Sequence, residues 1–437
     1  MITHHLAQGR PGQLLWMFTF ALDSRANQEI GNLLLRLLQG ALHALAAVLA
    51  AAVLQRHNRD RVTWISGLPF LLWGYNGEAV LWRSAGTYPA AALLGLLALW
   101  VLRASRSPAR ALPVVCSLIT AGILTNQLAA AAALVVWVLA AGLALADGTS
   151  SERLRSEAAC LAGAYLVAAA LSVGIARSQG AIGRATWRVD PQEWLHFLKT
   201  AALTFTADSE LYPPLMGIAV VAAHAITLFI VLVFGLRAPK SEAWASIAVL
   251  ATLFTPYASL VPFASGALEL RGMYLAPLLF AGALAQAARL LGRQRAIAIT
   301  QLALTLLLSL AYARIGWGHS GGYPDLFEAD RRVAEGADCY AAARGLRVVV
   351  IAFRRPDEQA PPPGNPHGLD QAWRRLPTSS LIVPWSAGEL VQRYATLPLI
   401  WDIAGRAQCS ERCQGAEAGR FGYEELPALE AVCLCRP

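Results

Sequence analysis

A short polar stretch in an otherwise apolar part of the chain carries two charged side chains, Glu78 and Arg83. A carboxylate at this position can serve as the general base for a hydroxyl acceptor, and an arginine can bind a phosphate through two parallel hydrogen bonds. The stretch therefore predicts chemistry between a hydroxyl group and a phosphate, and the alternative is an ordinary interfacial loop with one surface ion pair. The nearby polar and aromatic side chains are Trp73, Tyr75, Asn76, Trp82 and Tyr88.

Further candidates lie beside other apolar runs. Arg10 and Arg271 are candidates for binding phosphate, although each can also be an interfacial arginine whose charge reaches the lipid headgroups. An amphipathic stretch over 191–205 carries Trp194 and His196, and it is predicted either to cover the site or to lie on the membrane surface.

Two histidines, His43 and His224, lie inside apolar runs. Ionisable residues within a membrane are candidates for function. The alternative is a neutral histidine that is hydrogen-bonded to a neighbouring helix.

The composition excludes a water-soluble enzyme and argues against a nucleic-acid partner. Of the 437 residues, 56% are hydrophobic and 15% are charged, whereas soluble domains carry about 25% charged residues. The net charge of +8 comes from arginines that sit in short clusters between apolar runs. Such clusters orient helices in a membrane, so the expected partner of these charges is the lipid bilayer.

The apolar runs predict an α-helical polytopic membrane protein with about ten transmembrane helices and a small C-terminal extracytoplasmic α/β domain. Residues 1–31 are predicted to lie outside the membrane core, with 14–22 forming an interfacial helix. The transmembrane domain covers 32–315 and includes a long outer loop over 176–213. The predicted spans are 32–54, 62–74, 86–102, 111–126, 128–147, 158–175, 214–236, 244–262, 273–290 and 296–314.

Arginine and lysine are concentrated in every second short loop, and these loops are therefore predicted to be cytoplasmic. The amino terminus, the loops at 75–85, 176–213 and 263–272, and the tail then lie outside. A chain of ten spans without a signal peptide would have to translocate its own amino terminus. The simpler expectation is that one more span precedes Met1.

The tail, 316–437, is predicted to form a small α/β domain. Strands are expected over 346–353 and 380–384, with helices over 328–343 and 387–395. Five of the seven cysteines lie in the tail, and an oxidising compartment would pair some of them. A zinc site is the weaker alternative, since the spacing differs from that of zinc knuckles. The tail cysteines are Cys339, Cys409, Cys413, Cys433 and Cys435.

Several segments resemble the type-II bactoprenol glucosyl transferases, which are membrane glycosyltransferases of the C-type superfamily that modify O-antigen. Gly9-Arg10-Pro11 before an interfacial helix is similar to the Gly-Arg-Pro segment of that family. Leu68-Pro69-Phe70-Leu71-Leu72, which precedes the loop with Glu78 and Arg83, resembles the family's proline-phenylalanine entry. Thr125-Asn126-Gln127 resembles the hinge between two tightly joined spans, and the tail resembles the terminal extracytoplasmic domain.

The resemblance implies transfer of a sugar, usually glucose, from a polyprenyl-phosphate donor to a cell-envelope glycan or lipid acceptor such as lipopolysaccharide. The reaction would take place at the outer face of the bacterial inner (plasma) membrane. Glu78 and Asp23 are then the candidate catalytic carboxylates. Binding of the donor phosphate is assigned to Arg10, Arg83 and Arg271. Acceptor binding or a lid role is assigned to Tyr75, Asn76, Tyr88, Trp194 and His196. No metal ligand is predicted and no cofactor is required, while an assisting divalent cation is left open.

The sequence departs from the family in two respects that matter for catalysis. The family's Tyr-Arg-x-Asp stretch is broken, since Trp82-Arg83-Ser84 has no aspartate nearby; the other departure concerns the catalytic acid. The family places an acid just before its Gly-Arg-Pro segment, and residues 1–8 contain none. Two alternative functions therefore stay open. One is a lipid-linked sugar transporter or flippase, although no internal repeat of the kind common in transporters is found. The other is a catalytically inactive accessory paralogue.

Overall fold

The computed structural model describes residues 6, 10–14, 28–55, 86–180, 191–192, 195, 214–252, 274–291, 303, 306, 331–352, 408–409, 411–413, 422–427 and 430–435. The chain divides into two compact units, Met1–Trp317 and Gly318–Pro437. The first is helical, and the second contains a small β-sheet.

Nine helices of the first unit have defined bounds within the described residues. They are α1 (Gln28–Gln55), α2 (Thr87–Ala104), α3 (Pro108–Thr125), α4 (Gln127–Ala130), α5 (Ala132–Ala146), α6 (Ser151–Ser178), α7 (Pro214–Arg237), α8 (Lys240–Thr252) and α9 (Ala276–Leu291).

These helices overlap eight of the ten predicted spans. Within the described residues, five segments are long and apolar enough to cross a membrane, which indicates a membrane protein. They lie in α1, α2, α3, α4 together with α5, and α6. The predicted span 62–74 lies outside the described residues, as does 296–314 apart from two positions. The total of ten spans therefore stays a prediction.

The core of the helical unit is built around α5. Each of its fifteen residues is apolar, and a helix without a polar face is expected to be buried on all sides. By contrast, α1 has two faces: Leu37, Leu45 and Val48 are exposed, whereas Gln39 and His43 are buried. An exposed leucine face is suited to lipid, whereas Gln39 and His43 are directed into the bundle.

Glycine allows α2 to approach the α4–α5 junction closely. A Cβ atom placed on Gly95 would lie 2.7 Å from the carbonyl oxygen of Ala130. The same carbonyl accepts a hydrogen bond from the hydroxyl of Tyr165 on α6. Small residues at helix contacts of this kind allow backbones to pack tightly in a membrane, where lipid tails are as apolar as leucine.

Ion pairs gather at one end of the helical unit, which we call the Arg103 end. Glu157 of α6 lies 3.2 Å from Arg153 and 3.8 Å from Arg103, and it accepts a hydrogen bond from the indole of Trp137. A second group lies where α5, α8 and α9 meet, with Arg289 paired to Asp147 and Glu242. The C-terminal ends of α2, α5 and α9 therefore lie at the same end of the helical unit as the N-terminal ends of α6 and α8. The opposite end, where α2 begins, is called the Thr87 end.

The second unit contains a three-stranded sheet of order β1-β3-β2. The strands are β1 (Val348–Ala352), β2 (Gly422–Leu426) and β3 (Ala431–Cys435). β3 pairs parallel with β1 and antiparallel with β2. The predicted strand over 346–353 contains β1, whereas β2 and β3 were not predicted. The strand expected over 380–384 and the helix over 387–395 lie outside the described residues.

Residues 331–342 of the tail are helical, in agreement with the helix predicted over 328–343. The hydroxyl of Tyr423 on β2 donates a hydrogen bond of 2.6 Å to the carbonyl of Val333. This bond fastens the helix to the sheet. A disulfide joins Cys409 to Cys433 of β3 and fixes the sheet to the segment before it. Cys413 is disulfide-bonded as well.

Candidate functional site

At the Thr87 end, the segment that contains Arg10 meets the junction between α3 and α4. The guanidinium Nη2 of Arg10 donates to Oε1 of Gln127 at 3.4 Å. Nε2 of Gln127 donates in turn to the hydroxyl of Ser172 on α6 at 2.9 Å. Because a guanidinium only donates hydrogen bonds, the amide oxygen faces Arg10 and the amide nitrogen faces the hydroxyl of Ser172. Side chains from three parts of the chain thus form one hydrogen-bonded line.

The chain folds sharply at this junction because Asn126 interrupts the helix. Asn126 adopts an extended backbone between α3 and α4, and its Oδ1 accepts a hydrogen bond of 3.1 Å from the amide of Ala129. This is the capping role that asparagine fills well. The N-terminal segment lies close against the same turn, since a Cβ atom on Gly12 would meet Thr125 at 2.5 Å. The turn therefore holds both Gln127 and the segment of Arg10.

A second polar group lies where α1 and α2 meet the residues just before α9. Nδ1 of His43 and the hydroxyl of Tyr274 are hydrogen-bonded at 2.9 Å. The ring of Tyr88 packs edge-on against Tyr274, with centroids 5.7 Å apart. All three side chains are buried. The interpretation of His43 as a histidine bonded to a neighbouring part of the bundle therefore describes its geometry, and the bond brings together residues 231 positions apart.

Several polar side chains next to these two groups are buried as well. Gln39 lies one turn before His43 on α1 and is fully buried, and Thr87 is 1% exposed at the start of α2. Asn126 is also 1% exposed. Buried polar groups in proteins normally have hydrogen-bond partners. Within the described residues, Oγ1 of Thr87 and Nδ2 of Asn126 have none.

Two of the residues predicted for the site lie among those that the structure describes. Arg10 contacts Gln127, and Tyr88 contacts Tyr274, so both lie at the Thr87 end. The other predicted site residues lie outside the described residues. They are Asp23, Tyr75, Asn76, Glu78, Arg83, Trp194, His196 and Arg271.

Sequence reasoning did not assign site roles to Gln127, Ser172 or Tyr274. In the sequence Gln127 is recognisable only as part of a hinge, and serine in an apolar run gives no signal by itself. Tyr274 follows the loop that carries Arg271 and begins the next helical run, which is the position of an ordinary interfacial tyrosine. Only the three-dimensional contacts distinguish these residues from their neighbours.

The two ends of the helical unit differ in their electrostatics. At the Arg103 end, carboxylates and arginines pair with one another, so their charges stabilise the junctions of helices. At the Thr87 end, the contacts within the described residues include those of an arginine, amides, hydroxyls and an imidazole. Neutral donors and acceptors beside the cation of Arg10 suit a ligand that carries hydroxyl and phosphate groups.

No group of three or more histidine, cysteine or acidic side chains that could hold a metal occurs in the described part of the chain. Comparison of the whole chain with protein families, curated proteins and solved structures found no match.

Proposed function

We propose that this protein is a membrane glycosyltransferase that moves a sugar, glucose in the first instance, from a polyprenyl-phosphate donor to a cell-envelope glycan or lipid. The observation that carries the proposal is the line from Arg10 through Gln127 to Ser172. It joins two segments, Gly9-Arg10-Pro11 and Thr125-Asn126-Gln127, that resemble the bactoprenol glucosyl transferases independently. The two segments are in contact although Arg10 and Gln127 are 117 positions apart in the sequence, as residues of one site would have to be.

The reaction needs a base for the acceptor and a cation for the leaving group. The acceptor oxygen attacks the anomeric carbon of the sugar, and its proton passes to a carboxylate, for which Glu78 and Asp23 are the candidates. The bond between the anomeric carbon and the phosphate oxygen breaks. Polyprenyl phosphate leaves with the electron pair, and Arg10, assisted by Arg83 and Arg271, stabilises the added charge.

Gln127 suits Arg10 to this task because a neutral amide oxygen orients a guanidinium without cancelling its charge. A carboxylate in the same place would compete with the phosphate of the donor. Ser172 is 3% exposed, and its hydroxyl accepts a hydrogen bond from the amide nitrogen, while the guanidinium, which only donates, requires the amide oxygen on its own side. Gln127 and Ser172 are therefore assigned as positioning residues.

We assign the tail to the extracytoplasmic side and the chain to the bacterial inner membrane. Support comes from the disulfide between Cys409 and Cys433, because such bonds persist in oxidising compartments and are rare in the cytosol. The distribution of arginine in the loops agrees with this assignment. Under it, the Thr87 end faces outward and the polar groups lie at the level of the outer lipid headgroups.

The test is transfer of labelled glucose from polyprenyl-phosphate glucose by purified protein in proteoliposomes that contain lipopolysaccharide as acceptor. Arg10→Ala is expected to lower transfer at least about a hundredfold, the scale for loss of one donor to a developing negative charge. Arg177→Ala is the matched control, because Arg177 is exposed in the last turn of α6 at the same end. Equal activity in the two variants would remove Arg10 from the site.

A transporter and an inactive accessory subunit are the rival functions. Translocation of the intact labelled carrier, with no loss of glucose from it, would establish the transporter. Absence of both activities would favour the accessory subunit.

A further inference from the structure

We infer that Thr87 and Asn126 bind the sugar of the lipid-linked donor, through hydrogen bonds to its hydroxyl groups. The inference rests on the proposed function for the identity of the ligand. It adds a binding site formed by the outermost turns of α2 and the α3–α4 junction, beside the line that orients Arg10.

Packing of α2 against α3 puts the two residues at the same level of the bundle. A Cβ atom on Gly122 would lie 3.3 Å from the carbonyl oxygen of Ala91, so the two helices touch there. Thr87 is four residues before Ala91, and Asn126 is four residues after Gly122. Since the helices are antiparallel, both residues lie about one turn, roughly 5.4 Å, beyond the contact toward the Thr87 end.

Each residue holds a polar atom that is buried and unsatisfied. Within the described residues, the hydroxyl of Thr87 and the amide nitrogen of Asn126 have no hydrogen-bond partner, and both side chains are 1% exposed. The oxygen of Asn126 is committed to the amide of Ala129, so its two N–H groups point away from α4. An unsatisfied buried group costs folding free energy, and two at one level are best explained by a ligand that pairs with them.

The chemistry of the two groups selects hydroxyl as their partner. The amide nitrogen of Asn126 only donates, whereas the hydroxyl of Thr87 both donates and accepts. A sugar hydroxyl can accept a hydrogen bond from the amide nitrogen of Asn126. It can donate to, or accept from, the hydroxyl of Thr87. Neither group carries charge, so the phosphate of the donor is left to Arg10.

Removal of the unsatisfied Thr87 hydroxyl should weaken sugar binding without lowering the stability of the free protein. Thr87→Val keeps the shape of the side chain and removes the unsatisfied hydroxyl, so the free protein should melt no lower than the wild type. Thr252 provides the matched control, because it is fully buried and its hydroxyl donates to the carbonyl of Val249 at 2.6 Å. Thr252→Val should therefore lower the melting temperature and leave sugar binding unchanged.

The experiment is equilibrium binding of polyprenyl-phosphate glucose and of bare polyprenyl phosphate to the purified full-length protein in detergent, followed by tryptophan fluorescence. The wild type is expected to prefer the glucosylated carrier. Thr87→Val and Asn126→Ser should each reduce that preference about fivefold, the value of one neutral hydrogen bond. Serine is chosen at 126 because it can still cap α4. Thr87→Ser should retain the preference.

A preference for the glucosylated carrier that survives in both Thr87→Val and Asn126→Ser would overturn the inference and leave ordered water as the partner of these groups. Absence of any preference in the wild type would overturn it too. A transfer assay on the same preparations separates this inference from the proposed function. Sugar-dependent binding without transfer would refute the glycosyltransferase alone, and transfer with unchanged binding in the variants would refute the sugar site alone.

Discussion

Glu157 is the acidic side chain whose replacement should most clearly weaken the described helical unit, and Glu157→Gln is the informative change. Its carboxylate is 1% exposed and lies 3.8 Å from the guanidinium of Arg103, whose side chain is 5% exposed. Glutamine keeps the size of the side chain and one oxygen for the indole of Trp137. The substitution therefore removes the negative charge and replaces the oxygen that accepts a hydrogen bond from Arg153 with an amide nitrogen.

Glu157→Gln removes the ion pairs with Arg153 and with Arg103. The longer pair, with Arg103, should contribute more to the loss of unfolding free energy. Arg153 is closer, at 3.2 Å, but its side chain is 44% exposed, so water screens this pair and its loss costs less than about 1 kcal/mol. Arg103 stays buried and keeps its other contacts after the carboxylate has gone, so the cost is smaller than the 3–5 kcal/mol, roughly, of a buried charge left unpaired. The expected total is about 1–3 kcal/mol of unfolding free energy.

The assay is thermal unfolding of the full-length protein in detergent, followed by tryptophan fluorescence. Glu152→Gln is the matched control, because Glu152 is exposed in the first turn of the same helix and its replacement should change stability by no more than about 0.5 kcal/mol. We expect Glu157→Gln to melt several degrees lower than this control, at low and at high salt alike. Equal melting temperatures for the two variants would refute the buried ion pair as a stabilising contact.

Three further predictions concern packing, topology and the tail. Gly95→Ala should destabilise the helical unit, because its Cβ would lie 2.7 Å from a backbone oxygen. Gly163 has open space around it, so Gly163→Ala should be neutral or stabilise the protein by up to about 1 kcal/mol. Equal melting temperatures for the two variants would contradict the close approach of α2. Cys339 is a free, exposed thiol, so a membrane-impermeant maleimide should label it in intact spheroplasts and not in Cys339→Ser; labelling only after lysis would put the tail in the cytoplasm. Burial raises the pKa of Tyr423 to about 12 from 10.0, so the unfolded tail loses this proton first and tail stability should fall as pH rises from about 10 to 12. Tyr423→Phe should cost about 1 kcal/mol of tail stability at neutral pH, because the hydrogen bond to Val333 is lost. The variant should also lose less stability at alkaline pH than the wild type, and an unchanged pH profile would contradict this.

The helices could be predicted from the sequence because apolar runs bounded by arginine or proline carry their own signal. The run over 128–147 predicted α5 closely, and Pro108 begins α3 a few residues before the predicted span. Proline in the first turn is well suited to a helix start, since its missing N–H has no partner to lose.

Contacts between distant residues could not be predicted in this way. The bond from His43 to Tyr274 spans 231 residues, and no local pattern around either residue specifies the other. In the tail, β3 reads Ala-Val-Cys-Leu-Cys, and its cysteines suggest a disulfide or a zinc ligand and not a strand. β2 contains two glutamates and has no apolar alternation strong enough to mark a strand. Among the described strands β2 lies at the edge of the sheet, where polar side chains are common.

Transfer of glucose by the wild-type protein is the most direct test of the proposed function. Proteoliposomes loaded with polyprenyl-phosphate glucose, labelled in the sugar, would be incubated with lipopolysaccharide, and the label would be followed in carrier and acceptor. A glycosyltransferase moves label from carrier to acceptor and leaves bare polyprenyl phosphate in equal amount. Label that stays on the carrier, whether or not the carrier crosses the bilayer, would contradict the proposed function.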